Sequence, residues 1–263
     1  MRLTPMNAIA GWLVSIIALP IVFAETALAD GAAPASPSPP PVAASTGPAL
    51  PRTAGLLAGK KPVRIVVYGD SISEVKTGWN GGASSPRNNW ADLVGRRLAA
   101  DYPGSTIDVE HFAIGGQNTY EGLGRLDGLA AFKPDMAIVE FGANDCCYHY
   151  LISEETELAL TSLVKGIRDR YGADVIVIGT AGDNPYKPLF RHTDETIAAQ
   201  RAAAAAANVP FVDMRAADLS ATDGGKRWAE FHLGEQNCHP NDKGHIVWAN
   251  AAYDAIRTNI GSK

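Results

Sequence analysis

The chain has 263 residues, 46% of them hydrophobic, and its 28 acidic against 23 basic side chains give a net charge of −5. That length holds one large domain or two small ones, each with a substantial core. The acidic balance and the lack of a basic run argue against a nucleic-acid partner.

The chain begins with a targeting signature. Arg2 supplies a short positive region, an apolar run over 9–23 contains Trp12, Leu13, Ile16, Ile17 and Leu19, and Ala27-Leu28-Ala29 offers a small-x-small cleavage site. This pattern predicts a signal peptide over residues 1–29, cut before Asp30, and a secreted or periplasmic protein. The run is broken by Pro20 and is shorter than the ~20 apolar residues that span a bilayer. No stable membrane insertion is therefore expected after cleavage. Loss of residues 1–29 removes Arg2 and Glu25, so the charge stays at −5. Residues 30–60 open with Pro34, Pro37, Pro39, Pro40 and Pro41 among alanines and serines. Such a composition buries too little surface to order itself, and the segment reads as a disordered linker. The remaining residues, 61–263, are expected to form one domain.

Within that domain, apolar runs alternate with helical patterns. A strand is predicted at 64–68, then a helix with Trp90, Leu93, Val94 and Leu98 on one face, stopped by Pro103-Gly104. Strand two follows at 107–112, a short helix at 120–130, and strand three over 136–141. Helix 153–171 carries Leu158, Leu160, Leu163, Val164 and Ile167, and the almost wholly apolar stretch 174–179 is strand four. An alanine-rich helix at 193–207, strand five at 209–212 and a final helix at 242–258 complete the series. Continuously apolar strands alternating with helices imply an α/β fold whose parallel sheet is buried on both faces. Right-handed crossovers restrict it to a doubly wound sandwich.

Four short stretches carry chemistry: Gly69-Asp70-Ser71-Ile72-Ser73, Ala113-Ile114-Gly115-Gly116, Gly142-Ala143-Asn144-Asp145, and His239-Pro240-Asn241-Asp242-Lys243-Gly244-His245. A serine, backbone donors, an amide and a histidine thus emerge near strand ends, which are the parts of a serine esterase. Each stretch alone has a plain reading. Gly-Asp-Ser is a turn former, Gly115-Gly116 an ordinary loop, and Asn144 a helix cap. In their order and spacing, over roughly residues 63–259, the four resemble the SGNH hydrolases, also called the GDSL esterase/lipase family. The resemblance implies a flavodoxin-like three-layer sandwich with five parallel strands in the order 2-1-3-4-5. It makes Ser71 the nucleophile and His239 the base, with the Ser71 and Gly116 main-chain N–H groups and the Asn144 amide as oxyanion hole.

One position departs from the family pattern. The acid expected three residues before the histidine is replaced by Gln236. Gln236 or a backbone carbonyl is then expected to orient His239, with Glu235 and Asp242 as the nearby carboxylates. The expected activity is hydrolysis of short acyl esters, small or on O-acetylated carbohydrate, through an acyl-enzyme on Ser71. The alternative is a catalytically weak or inactive carbohydrate-binding protein of the envelope that keeps the fold. No metal or organic cofactor is implied.

If the family geometry brings the loops together, Cys238 could bridge Cys146 or Cys147; free buried thiols are the other reading. His111 reads as a satisfied strand residue and His245 as a packing or hydrogen-bonding residue. Trp79 and Trp228 sit in Gly-rich polar loops expected to rim the cleft.

Overall fold

The structure, a computed structural model, describes residues 49–147 and 152–261. Its strands β1 (Val63–Gly69), β2 (Ile107–His111), β3 (Met136–Glu140), β4 (Asp174–Gly179) and β5 (Phe211–Asp213) pair in parallel throughout, in the order β2-β1-β3-β4-β5. This is the order that the resemblance implies. The helices, in chain order, are α1 (Pro51–Ala58), α2 (Trp90–Asp101), α3 (Thr119–Gly124), α4 (Ala143–Cys147), α5 (Ser153–Tyr171), α6 (Thr193–Ala206), α7 (Met214–Ala221), α8 (Trp228–Phe231) and α9 (Asp242–Ile260).

Side-chain alternation along β1 builds the three layers. Val63, Ile65 and Val67 join one core with Trp90, Val94 and Leu98 of α2 and Trp248, Ala252 and Ile256 of α9. Val66 and Tyr68 point the other way, into a core with Leu160, Leu163, Val164 and Ile167 of α5 and Ala203 and Ala204 of α6. Each fully buried Val, Leu or Ile contributes about 1.5–3 kcal/mol. The strands are therefore the best-anchored backbone in the molecule, and groups attached to their ends inherit that rigidity. At the sheet's edge, β2 buries alternate positions less and turns Asp108 and Glu110 outward, which blunts pairing with another chain.

Most elements lie within two residues of their expected limits. The helix expected at 120–130 is instead α3 followed by a 3-10 turn over Leu126–Ala131. Gly122 and Gly124 weaken the α-helical ladder there, and only the Asn118–Glu121 capping box secures its start.

The linker expected over 30–60 is corrected at its end. Residues 51–58 form α1, with Leu50, Thr53 and Leu57 buried. A helix this short does not form alone in water. It is held by distant residues: the Asp174 carboxylate accepts the Arg52 and Thr53 N–H groups at 3.3 and 2.7 Å, and Asp135 pairs with Arg52 at 2.6 Å. Leu50 N–H also donates to the Asn259 carbonyl at the end of α9 (3.1 Å). The expected signal peptide and the rest of the linker lie outside the described residues. Among those residues, no helix is long and apolar enough to cross a membrane.

Candidate active site

Ser71 lies two residues beyond β1, and Asn144 lies in α4, just beyond β3. These strands are neighbours, and the sheet order reverses between them. The carboxyl end of such a switch point is where α/β sheets bind ligands. A cleft of about 960 Å³ opens here, and Ser71, Glu74, Trp79, Gly116, Asn144 and His239 are among its walls. Ser71 Oγ stands 2.8 Å from His239 Nε2. The structure thus brings together all four residues expected at the site.

The donors around Ser71 are fixed from below. Asn144 Nδ2 donates to the Gln117 carbonyl at 3.0 Å, which sets the amide plane, and reaches Asp70 Oδ2 only at 3.4 Å. Gly116 has φ +81°, a left-handed backbone that glycine adopts without steric cost. Among the described residues, no group takes the Ser71 or Gly116 N–H.

Beneath the serine lie three buried acids. Asp70 accepts the Ile72 N–H, Glu140 accepts the Ser73 hydroxyl at 2.7 Å, and Asp145 accepts the Thr119 N–H and the Thr156 hydroxyl. Burial, then the Glu140 charge, pushes Asp70 well above the usual carboxylate range, and burial raises Glu140 to about 7. Two adjacent carboxyls out of water cannot both ionise cheaply, so this pair keeps a proton near neutrality.

The histidine side is held by a different set of contacts. Asn241 caps α9 through the Lys243 and Gly244 N–H groups, and its amide donates to the Glu230 and His232 carbonyls. Trp228, 1% exposed, stacks on His232 and donates from Nε1 to the Asn237 carbonyl at 2.8 Å. His232 in turn meets Asp218 at 3.1 Å, with both side chains wholly buried. Gly82 packs so close to this loop that a Cβ would lie 2.4 Å from the Pro240 carbonyl oxygen. The Trp79 and His239 rings meet at right angles, with centroids 5.1 Å apart. Burial, and then His232, lowers the His239 pKa to about 4.

The expected orienter is corrected. Gln236 lines the cleft without a hydrogen bond to His239, whereas Asn237 Oδ1 lies 2.8 Å from His239 Nδ1. The side chain one residue earlier points elsewhere because the Asn237 backbone is pinned by Trp228 and by its own N–H to the Gly234 carbonyl. Neither nearby carboxylate reaches the imidazole. Glu235 pairs with Lys187, and Asp242 accepts from the Ser84 N–H and hydroxyl and from Asn88.

The expected bridge is corrected too: Cys146, Cys147 and Cys238 are all outside disulfides. Cys146 Sγ contacts the Ala143 carbonyl and Thr193 Oγ1, while Cys238 Sγ faces His239 Nδ1 at 3.7 Å. Burial raises both thiols far above their ordinary range, which keeps them protonated and inert. His111 is satisfied by the Ser73 carbonyl and Asp92. His245 accepts the Trp90 N–H and bonds the Gly81 carbonyl, a structural tie as expected. Trp228, expected at the rim, is instead the buried anchor of the histidine loop. Sequence reasoning missed Asn237 and Glu74. An amide two residues before the histidine was the visible signal for the first; the second carried none.

Comparison with known proteins bears on the family and the fold. A search of curated proteins finds no match. Among solved structures, the fold is similar to a lipase/acylhydrolase from Enterococcus faecalis (24% identity over 74% of this chain and 95% of that one, TM-score 0.60). It also resembles a variant of an acetyl xylan esterase from Geobacillus stearothermophilus (23%, 78% and 98%, TM-score 0.59). A two-domain esterase active on acetylated mannans matches at 20% identity over 82% of this chain, with a TM-score of 0.63, and this chain spans 56% of its length. The model of the GDSL-like Lipase/Acylhydrolase family matches residues 67–247. With the family's motifs gathered at one end of its sheet, the chain is an ester-bond hydrolase and belongs to the GDSL-like Lipase/Acylhydrolase family.

Proposed function

We propose that the protein is an exported serine esterase that removes short acyl groups, acetyl above all, from hydroxyls of carbohydrate. The observation that carries this reading is the 2.8 Å contact between Ser71 Oγ and His239 Nε2. His239, neutral over most of the pH range, takes the Ser71 proton as the oxygen attacks the ester carbonyl. The Ser71 and Gly116 N–H groups and the loosely held second hydrogen of the Asn144 amide receive the oxyanion. The alcohol leaves with the proton from His239, and water then hydrolyses the acyl-enzyme by the same base.

The carbohydrate preference has two supports. Trp79 and Phe190 offer aromatic surface beside the polar Glu74, Gln236 and Asn237, and such a mixture suits a sugar's apolar face and hydroxyl rim. Two of the structurally similar proteins are described as acting on acetylated mannans and as an acetyl xylan esterase.

The test is acetate release from acetylated xylan and mannan, with p-nitrophenyl acetate and octanoate alongside, by wild type and Ser71→Ala. Release by wild type, abolished in Ser71→Ala with an unchanged melting temperature, is expected. A Ser71→Ala variant with wild-type turnover sinks the assignment. An inert wild type that still binds the polysaccharide would favour the non-catalytic reading.

A further inference from the structure

We propose that Asn237 is the positioning residue of His239, so that Ser71, His239 and Asn237 form a triad whose third member is a neutral amide. The proposal rests on the serine-esterase reading above.

The hydrogen-bond inventory fixes the tautomer. Asn237 Oδ1 faces two donors at once, the His239 main-chain N–H at 2.9 Å and the ring Nδ1 at 2.8 Å. A main-chain N–H can only donate, so the atom it meets is the side-chain carbonyl oxygen, not the NH₂. The ring nitrogen sharing that oxygen must then carry a hydrogen. With Nδ1 protonated, Nε2 keeps a lone pair aimed at Ser71 Oγ. That is the state a general base requires.

Asn237 can do this because it is itself immobilised. Its N–H is tied to Gly234, and its carbonyl to Trp228 beneath the loop. Among the described residues, no carboxylate competes for Nδ1, since Glu235 and Asp242 are engaged elsewhere. Among the described residues, the ionisable groups around the imidazole are the Cys238 thiol, His232 and His245 on the interior side, and Glu74 in the cleft wall.

Two consequences separate this triad from one with an acid. An amide oxygen orients the ring and supplies no countercharge for the imidazolium, so part of the transition-state stabilisation is forgone. The same lack of charge leaves burial unopposed, and the base stays unprotonated well below the ordinary histidine range, with a pKa of about 4. The enzyme accordingly keeps its activity in mildly acidic media.

The experiment is the pH profile of kcat and kcat/KM on p-nitrophenyl acetate for wild type, Asn237→Ala, Asn237→Asp and Gln236→Ala. The wild-type acid limb is expected below pH 5.5, and Asn237→Asp should move it up by roughly one pH unit or more. Asn237→Ala should lower kcat roughly 10- to 100-fold with KM little changed. An acid limb unmoved in the isosteric Asn237→Asp overturns the proposal even if Asn237→Ala does not fold. So does a kcat loss that follows Gln236→Ala and spares Asn237→Ala. Imidazole ¹⁵N shifts give a readout without turnover. An Nδ1–H tautomer in wild type that scrambles in Asn237→Ala supports the positioning role even if every ester proves inert, in which case only the esterase reading fails. A wild-type Nε2–H tautomer overturns the proposal.

Discussion

Ser71 and Asn144 hang from the ends of two central strands buried at nearly every position, whereas His239 stands on an irregular segment between α7 and α9 that holds only the short α8. The first side takes its rigidity from two apolar cores. The second takes it from single contacts: Trp228 to the Asn237 carbonyl, His232 to Asp218, and Asn241 to two carbonyls. Substitution should therefore separate chemistry from stability on the strand side and couple them on the loop side.

Of the tests of this comparison, the largest effect is expected from Asn144→Ala. Loss of one oxyanion donor typically costs ~10²–10³ in turnover, and the sheet beneath should leave the melting temperature nearly unchanged. A loss of less than threefold, measured as kcat on p-nitrophenyl acetate, would remove Asn144 from the oxyanion hole.

Trp228→Phe probes the other side. It keeps the stacked ring on His232 and deletes the Nε1–H bond, at a cost of about 1–2 kcal/mol. Denaturant midpoint and kcat should fall together, the latter severalfold. A stability loss with full activity would show that the histidine does not depend on this anchor.

The smallest change is a slope. Glu140 is raised to about 7 by burial, so the native state holds a proton that the unfolded chain releases above pH 4.5. The native state thus binds more protons between these values, and this group lowers stability as pH climbs through them. Glu140→Gln should flatten that decline, read as denaturant midpoints from pH 4.5 to 8. An identical slope in the variant would show that Glu140 ionises freely in the fold.

The same division explains what the sequence could reveal. β1, β3 and β4 are legible because a strand buried on both faces must be apolar at nearly every position, and a residue just past its end is placed by that fact alone. Ser71 and Asn144 follow directly. α1 was illegible because eight residues opening on Pro51 carry no core of their own; Asp135 and Asp174, more than 80 residues away, provide its partners. The role of Asn237 was hidden for a related reason. Family spacing points to Gln236, and the one-residue difference arises from a backbone pinned by Trp228, a tertiary contact without periodicity. Trp79 reaches the cleft as its loop position suggests, whereas nothing in the polar loop composition marked Phe190 as one of the walls.

The hydrogen bond from Leu50 to Asn259 joins the two ends of the folded body, beside Asp135 and Asp174 at the strands' amino ends. The cleft opens at the carboxyl ends, across the full length of the sheet. Attachment of the domain to a bead, a sensor surface or a fusion partner through either end therefore leaves the mouth unobstructed for a polymeric substrate. A short peptide joining the two ends would allow new termini to be cut in an exposed loop without disturbing the layers.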